Sequence, residues 1–363
     1  MPERVYPLAE RLGGLLQGFE ARPAQQSMAA AVALVLEGSG TLLVEAGTGT
    51  GKSLAYLLPA FERVRTTGGR VIVSTHTLNL QSQLLSKDIP LALAALGVDL
   101  AVVRAVGRGN YLCRLRLDTA EELARGDLFG GSHASLGALR DWAESGGGLR
   151  EEAPGEISTE LWEQTQVEAY GCLGRRCPRA EGCAFLRDRE ALREAQVVVV
   201  NHALLMADLA ARREGSELLP EADTLVVDEA HHLADVAAEH LGLRLRRLGL
   251  SRSLDRLQDP RRRHGLLERL PSASLPGLLA TCRAAVAEFF DAAAGLPADQ
   301  ALPPAGLEDP LSQPLISLAA ELRNVAAALS EVPQSAGIMA ETQALAARLD
   351  RAAGSLRAWL EQD

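Results

Sequence analysis

Short apolar runs punctuate the first two thirds of the chain: Thr41–Glu45, Arg70–Ser74, Ala101–Val106, Val197–Val200 and Thr224–Val227. Each is rich in Val, Leu or Ile and shows no polar alternation, the pattern of strands buried on both faces. The stretches Ser53–Arg65 and Leu78–Ser86 between them are amphipathic and predict helices. Residues 1–40 read as helical and close at the turn Gly38-Ser39-Gly40. Strands alternating with helices predict an α/β fold with a parallel sheet covered on both sides.

The rhythm breaks twice. Residues 107–195 hold four of the five cysteines and a glycine stretch, Gly146-Gly147-Gly148, and read as an insertion. After Val227 no Val-rich run recurs, and Ala/Leu helical periodicity dominates, interrupted at Pro271–Pro276 and Leu296–Pro314. The expected organisation is an α/β domain in two parts, 1–106 and 196–233, with the insertion at 107–195 and a helical domain at 234–363. No internal repeat of solenoid length is present.

Composition changes this picture little. The 363 residues are 47% hydrophobic and only 4% aromatic, so the core must be aliphatic. The longest apolar run, Met28–Leu36, has nine residues, well short of the roughly 18 a membrane helix needs. Glu3, Arg4, Glu10 and Arg11 leave no room for a signal-peptide core, so a cytoplasmic protein without membrane partners is expected. The net charge of −10 argues against indiscriminate polyanion binding, although a local basic groove would escape that total. In a reducing compartment the cysteines read as metal ligands or core residues rather than disulfides.

The first candidate chemistry is Ala46-Gly47-Thr48-Gly49-Thr50-Gly51-Lys52-Ser53, set between a predicted strand and a predicted helix. Glycines let such a loop fold into a cradle of N–H groups, and the helix N-terminus adds its positive dipole end. Lys52 would reach the β- and γ-phosphates of ATP, and the Ser53 hydroxyl would ligate Mg²⁺. The bland alternative is a glycine-rich turn that binds nothing; the flanking elements and the Lys-Ser pair speak against it.

The second is Thr224-Leu225-Val226-Val227-Asp228-Glu229-Ala230-His231, an apolar strand ending in two carboxylates. Read alone, two acids there mark a strand meeting solvent. Paired with the phosphate loop, Asp228 would hold Mg²⁺ through water and Glu229 would orient the water that attacks the γ-phosphate.

Asp228-Glu229-Ala230-His231 resembles the DEAH box of superfamily 2 helicases. Arg22-Pro23-Ala24-Gln25-Gln26-Ser27-Met28 resembles the adenine-contacting segment of DinG proteins, which implies that Gln25 reads the base. Ser74-Thr75-His76-Thr77-Leu78 with Gln81-Ser82-Gln83-Leu84 resembles the segment touching the DNA backbone, and Val200-Asn201-His202-Ala203-Leu204-Leu205 a stretch preceding the box. Together they resemble the iron–sulfur DNA helicases of the DinG/XPD kind. That resemblance implies a RecA-like domain, a catalytic set of Lys52, Asp228, Glu229 and His231, and ATP-driven 5′-to-3′ movement on single-stranded or forked DNA. Helicase loops of this type tolerate Ala at the position of Ala46, where the strict phosphate-loop pattern has Gly.

Cys172-x4-Cys177-x5-Cys183 forms a compact trio, with Cys113 set 58 intervening residues before it. Thiolates suit zinc or iron–sulfur clusters, and gaps of this size lean away from zinc without deciding the matter. The family resemblance implies that Cys113, Cys172, Cys177 and Cys183 hold a [4Fe–4S] cluster. Cys282 has no counterpart and reads as a core residue. Tyr111, beside Cys113, is open to two readings, stacking on a base or packing the insertion.

The resemblance further implies that the C-terminal helices form an arch around the single strand. Eight arginines between Arg244 and Arg263 could track phosphates or form a solvated face paired with acids such as Asp255 and Asp259. The family's second RecA-like domain, with its Gln-x-x-Gly-Arg-type segment, and a Ser-Ala-Thr segment have no match in this sequence. Unaided unwinding is therefore expected to be weak, and a non-catalytic module binding nucleotide and single-stranded DNA is the alternative.

Overall fold

The computed structural model describes residues 6–16, 19–20, 22–47, 49–124, 133–213, 215–242, 245–261, 264–296, 308–330 and 335–361. The chain divides into two compact units, one of residues 1–106 and 188–242, the other of residues 107–187 and 243–363.

The first unit is built on a parallel sheet of β1 (Val71–Thr75), β2 (Val102–Arg104), β3 (Val197–Asn201) and β4 (Thr224–Val227), in the order β2-β3-β1-β4. Successive strand residues point to opposite faces, and here both faces are apolar. Val71, Val73, Val197 and Val199 join one core with Leu57, Phe61 and Ile89 from the helices Lys52–Thr67 and Ile89–Leu96. Ile72, Val198 and Val200 join a second core with Leu205 and Met206 from the helix His202–Arg213. This two-faced burial is why the strands lack polar alternation. The α/β class and the parallel sheet match the expectation.

Thr41–Glu45 departs from it. The segment forms no strand, and Leu43 is 89% exposed. Apolar composition favours burial, but a strand exists only where a neighbour accepts its N–H and C=O groups. Among the described residues none does so here. The outer edge of β4 is likewise unpaired, and Leu225 on it is 53% exposed. The expected helix from Leu78 to Ser86 is an α-helix, Leu78–Gln83, that widens into a π-helical turn, Leu84–Asp88. Such turns are frequent at functional sites.

The second unit gathers the cysteine-bearing stretch and the C-terminal helices into one body. Trp162, on the helix Thr159–Thr165, is fully buried and donates from Nε1 to the Gly109 carbonyl at 2.7 Å. Around it pack Leu112, Leu117, Leu136 and Leu139. A larger core joins the helices Arg247–Leu257, Leu275–Ala293, Ser312–Leu329 and Ala336–Leu360. Cys282 is wholly buried there, its Sγ donating to the Pro314 carbonyl, in keeping with a structural residue.

Between these two cores lies a buried charge network. Arg116 pairs with Glu168 and stands 3.4 Å from Glu341; Arg256 pairs with Glu341 and stands 3.5 Å from Glu168; Arg348 also pairs with Glu168. The guanidinium of Arg116 further donates to the carbonyls of Glu163 and Gln164. Three cations on two carboxylates satisfy the polar groups that burial would otherwise strand.

Candidate active site

The phosphate loop opens the helix Lys52–Thr67, whose first N–H groups face the loop. Gly49 and Gly51 have φ of 76° and 77°, left-handed conformations that glycine adopts without the strain other residues incur. A side chain at Gly51 would collide with the Gln25 amide. Thr50 Oγ1 donates to the Gly47 carbonyl at 2.9 Å, closing the turn. Gln25, almost fully buried, donates from Nε2 to the Gly51 carbonyl at 3.0 Å, and Arg22 donates to Gly49. The adenine-segment residues thus lie on the phosphate loop itself. Thr48 lies outside the described residues.

The box sits at the tip of β4. The Asp228 N–H donates to the Ser74 carbonyl at 2.8 Å, which fixes the first carboxylate beside β1. Lys52 Nζ lies 3.2 Å from Glu229 Oε1, bringing the loop and the box together. Glu229 is the one non-glycine residue with positive φ among the described residues, at 55°. That conformation turns the chain within the box, where the Glu229 carboxylate meets Lys52. His231 Nδ1 lies 3.6 Å from Glu229 Oε2 and is largely exposed.

Two further residues belong here that the sequence did not single out. The buried Tyr56 donates from its hydroxyl to Asp228 Oδ2 at 3.1 Å. Burial, and then the Asp228 charge, raises its pKa. Asp88, in the π-helical turn, has its carboxyl pKa raised by burial; a hydrogen bond from Ser53 opposes that shift and the Asp228 charge adds to it. Ser53 and Asp228 thus both influence Tyr56 and Asp88. A tyrosine on an amphipathic helix reads as core, and a lone aspartate before Ile-Pro reads as a helix boundary. Neither has a sequence signal to betray it.

In the second unit, Cys113, Cys172, Cys177 and Cys183 are each partly buried. Burial pushes the Cys113 thiol up to about 12, and Cys177 and Cys172 add to the shift. Burial also raises Cys177, followed by the influence of Cys172 and Cys183, while the Arg179 N–H donates to its Sγ at 3.4 Å. The four thiols thus perturb one another across 70 residues of sequence, and main-chain N–H groups point at two of them. Thiols are the donor type that an iron–sulfur or zinc centre takes. No group of three or more His, Cys, Asp or Glu among the described residues is gathered tightly enough to hold a single ion.

Tyr111 is buried edge-on against Phe185 at 5.4 Å between centroids, which makes it a packing residue. Within the arginine run, Arg247 pairs with Asp291, Arg252 with Glu163 and Arg256 with the buried network. Arg244, Arg262 and Arg263 lie outside the described residues. No helix among the described residues is long and apolar enough to cross a membrane.

A parallel sheet between helices, with a lysine-bearing phosphate loop meeting an Asp-Glu-Ala-His box, resembles the nucleotide-binding domain of DEAD/DEAH-box helicases. The comparisons agree: the DEAD/DEAH box helicase family matches residues 22–109 and the DEAD_2 family residues 156–250. The chain is a homologue of the YoaA and DinG helicases. It is 38% identical to the ATP-dependent DNA helicase YoaA of Escherichia coli over 213 residues, 56% of this chain and 32% of that protein. It is 38% identical to the ATP-dependent helicase DinG of Mycobacterium tuberculosis over 231 residues, 58% of this chain and 34% of that protein. With the DinG of Photobacterium profundum the identity is 33% over 217 residues, 55% of this chain and 31% of that protein. The matched region spans about a third of the length of these relatives.

Proposed function

We propose that this chain binds and hydrolyses ATP as the motor portion of a DinG-type DNA helicase that moves 5′ to 3′ on single-stranded DNA. The observation that supports the reading is the Lys52–Glu229 ion pair, which joins the loop to the box; in this reading Lys52 binds phosphate and Glu229 orients the attacking water. When MgATP enters, the γ-phosphate competes for Lys52, and Glu229 is released to accept a proton from the attacking water. The loop N–H groups from Gly47 to Gly51 hold the phosphates, Ser53 and Asp228 hold Mg²⁺, and Gln25, already on the loop, reads the adenine. His231, beside Glu229, completes the catalytic set.

Cys113, Cys172, Cys177 and Cys183 would hold a [4Fe–4S] cluster, whose role when bound is to brace the cysteine-bearing stretch by covalent cross-links. The DNA expected as partner is single-stranded or forked, and its phosphates would meet the Ser74–Thr77 turn.

A second reading is that this chain binds nucleotide and single-stranded DNA without turnover. ATP hydrolysis by the anaerobically purified chain, with and without single-stranded DNA, separates the two. DNA-stimulated turnover supports the motor; binding of both ligands without turnover supports the module. Lys52→Ala should abolish nucleotide affinity, and unchanged ATP binding would overturn the site.

A further inference from the structure

The box and the Ser74–Thr77 turn are joined by a residue that neither motif contains. His202 begins the helix His202–Arg213 at the end of β3 and is completely buried. Its Nδ1 lies 2.7 Å from Ser74 Oγ. The carbonyl of the same Ser74 takes the Asp228 N–H, so one residue of β1 bonds both His202 and the box.

The other ring nitrogen, Nε2, is buried without a well-formed hydrogen bond. The main chain of Glu229 and Asp228 lies within reach of the ring. In the tautomer in which Nδ1 accepts from the Ser74 hydroxyl, Nε2 carries the proton. The backbone near the ring is the strained, left-handed turn at Glu229. A second imidazole, His76, lies 6.0 Å from His202 and stacks on His232 at 3.9 Å, and its Nδ1 is also buried without a partner.

Two ring nitrogens, each buried without a hydrogen-bond partner, thus lie near the left-handed turn at Glu229. A small rotation at residues 228–229 would complete the Nε2 bond, and a shift of the Ser74–Thr77 turn would move the ring that makes it. Buried polar groups left unpaired are costly, so such an exchange is driven by the bond it gains. Every group involved belongs to the first unit.

We propose that His202 is a positioning residue, with His76 and Ser74, that links the Ser74–Thr77 turn to the Asp228–Glu229 box so that single-stranded DNA and MgATP alter each other's affinity. This rests on the functional reading above, because it takes the turn as the DNA side and the box as the nucleotide side. In this proposal His202 acts on both ligands through Ser74 and the box rather than by contact. Linkage requires the effect to be reciprocal.

The test measures the Kd of a methylanthraniloyl-labelled, non-hydrolysable ATP analogue with Mg²⁺, on the full chain, with and without saturating oligo(dT) of about 20 nucleotides. The wild type should show a change of about fivefold or more on adding DNA. His202→Asn, whose short amide reaches only the Ser74 side, should bind each ligand alone nearly as well but lose the change. His202→Gln, whose amide reaches the Nε2 side, should restore part of it. Ser74→Ala should lose it as well, which keeps the test decisive should a His202 variant fail to fold.

Full retention of the change in His202→Asn and Ser74→Ala overturns the proposal. Wild-type binding of both ligands with no mutual effect overturns it too, and leaves the functional reading standing. Failure of the wild type to bind either ligand instead sinks the functional reading, and the relay with it.

Discussion

Lys52 Nζ stands 3.2 Å from Glu229 Oε1, an ion pair across 177 residues of sequence. The hydrogen bond from Lys52 holds the Glu229 carboxyl below the usual glutamate range, against a smaller opposing effect of burial. A carboxylate depressed on folding adds stability above its unfolded value, and that stability is lost as pH falls through the folded value. Both side chains are about a third exposed, so the contribution is small. The Glu229 carboxyl resonance should titrate below the ordinary range in the wild type and move up in Lys52→Ala. An unmoved titration would show that Lys52 is not its cause.

Gly51→Ala should weaken MgATP binding and lower stability. The left-handed conformation costs a side-chain-bearing residue about 1–2 kcal/mol, and the added methyl would displace Gln25 from the loop. Gly68→Ala is the control: its φ is 72°, but the space around it is open. It should lower the melting temperature similarly and leave nucleotide affinity alone. Equal nucleotide affinities in both variants would contradict this account of the loop.

Cys177→Ser should yield a protein without the brown colour and with reduced iron, and should destabilise the second unit. Cys282→Ser should keep both colour and iron, because Cys282 is enclosed by aliphatic side chains far along the chain. Iron analysis and visible absorption read the outcome. Full iron in Cys177→Ser would show that the ligand set is wrong.

Glu168→Gln should destabilise the chain strongly. It leaves three guanidiniums with one carboxylate in a mostly buried site. Breaking a buried pair costs about 3–5 kcal/mol, and the partly exposed Arg348 should bring the value to the lower end of that range. Arg116→Met removes one charge from the cationic excess and should cost less. Urea unfolding that ranks the two variants in reverse would refute the charge balance drawn here.

The nucleotide site was legible in the sequence because its parts are local. The loop at residues 46–53 carries its own turn chemistry, and the box is the end of a single strand. The sheet was legible for the same kind of reason: strands sandwiched between helices need Val and Ile on both faces. Tyr56 and Asp88 were not legible, since their roles depend on Asp228 and Ser53 arriving beside them. The run Thr41–Glu45 shows the opposite failure, in which a strong local signal meets no pairing partner among the described residues.

By itself, then, the sequence determined the α/β class, the phosphate loop, the acidic box and the four candidate thiol ligands, all properties carried by short segments. Tertiary structure alone decided that Arg116, Glu168, Arg256, Glu341 and Arg348 share one buried network, and that most of the described arginines after Arg246 are committed to acids. It alone decided that His202 stands between Ser74 and the box. Side chains distant along the chain interact only after the backbone has folded. Which charges pair, and which nitrogen is left without a partner, follows from a geometry that no spacing encodes.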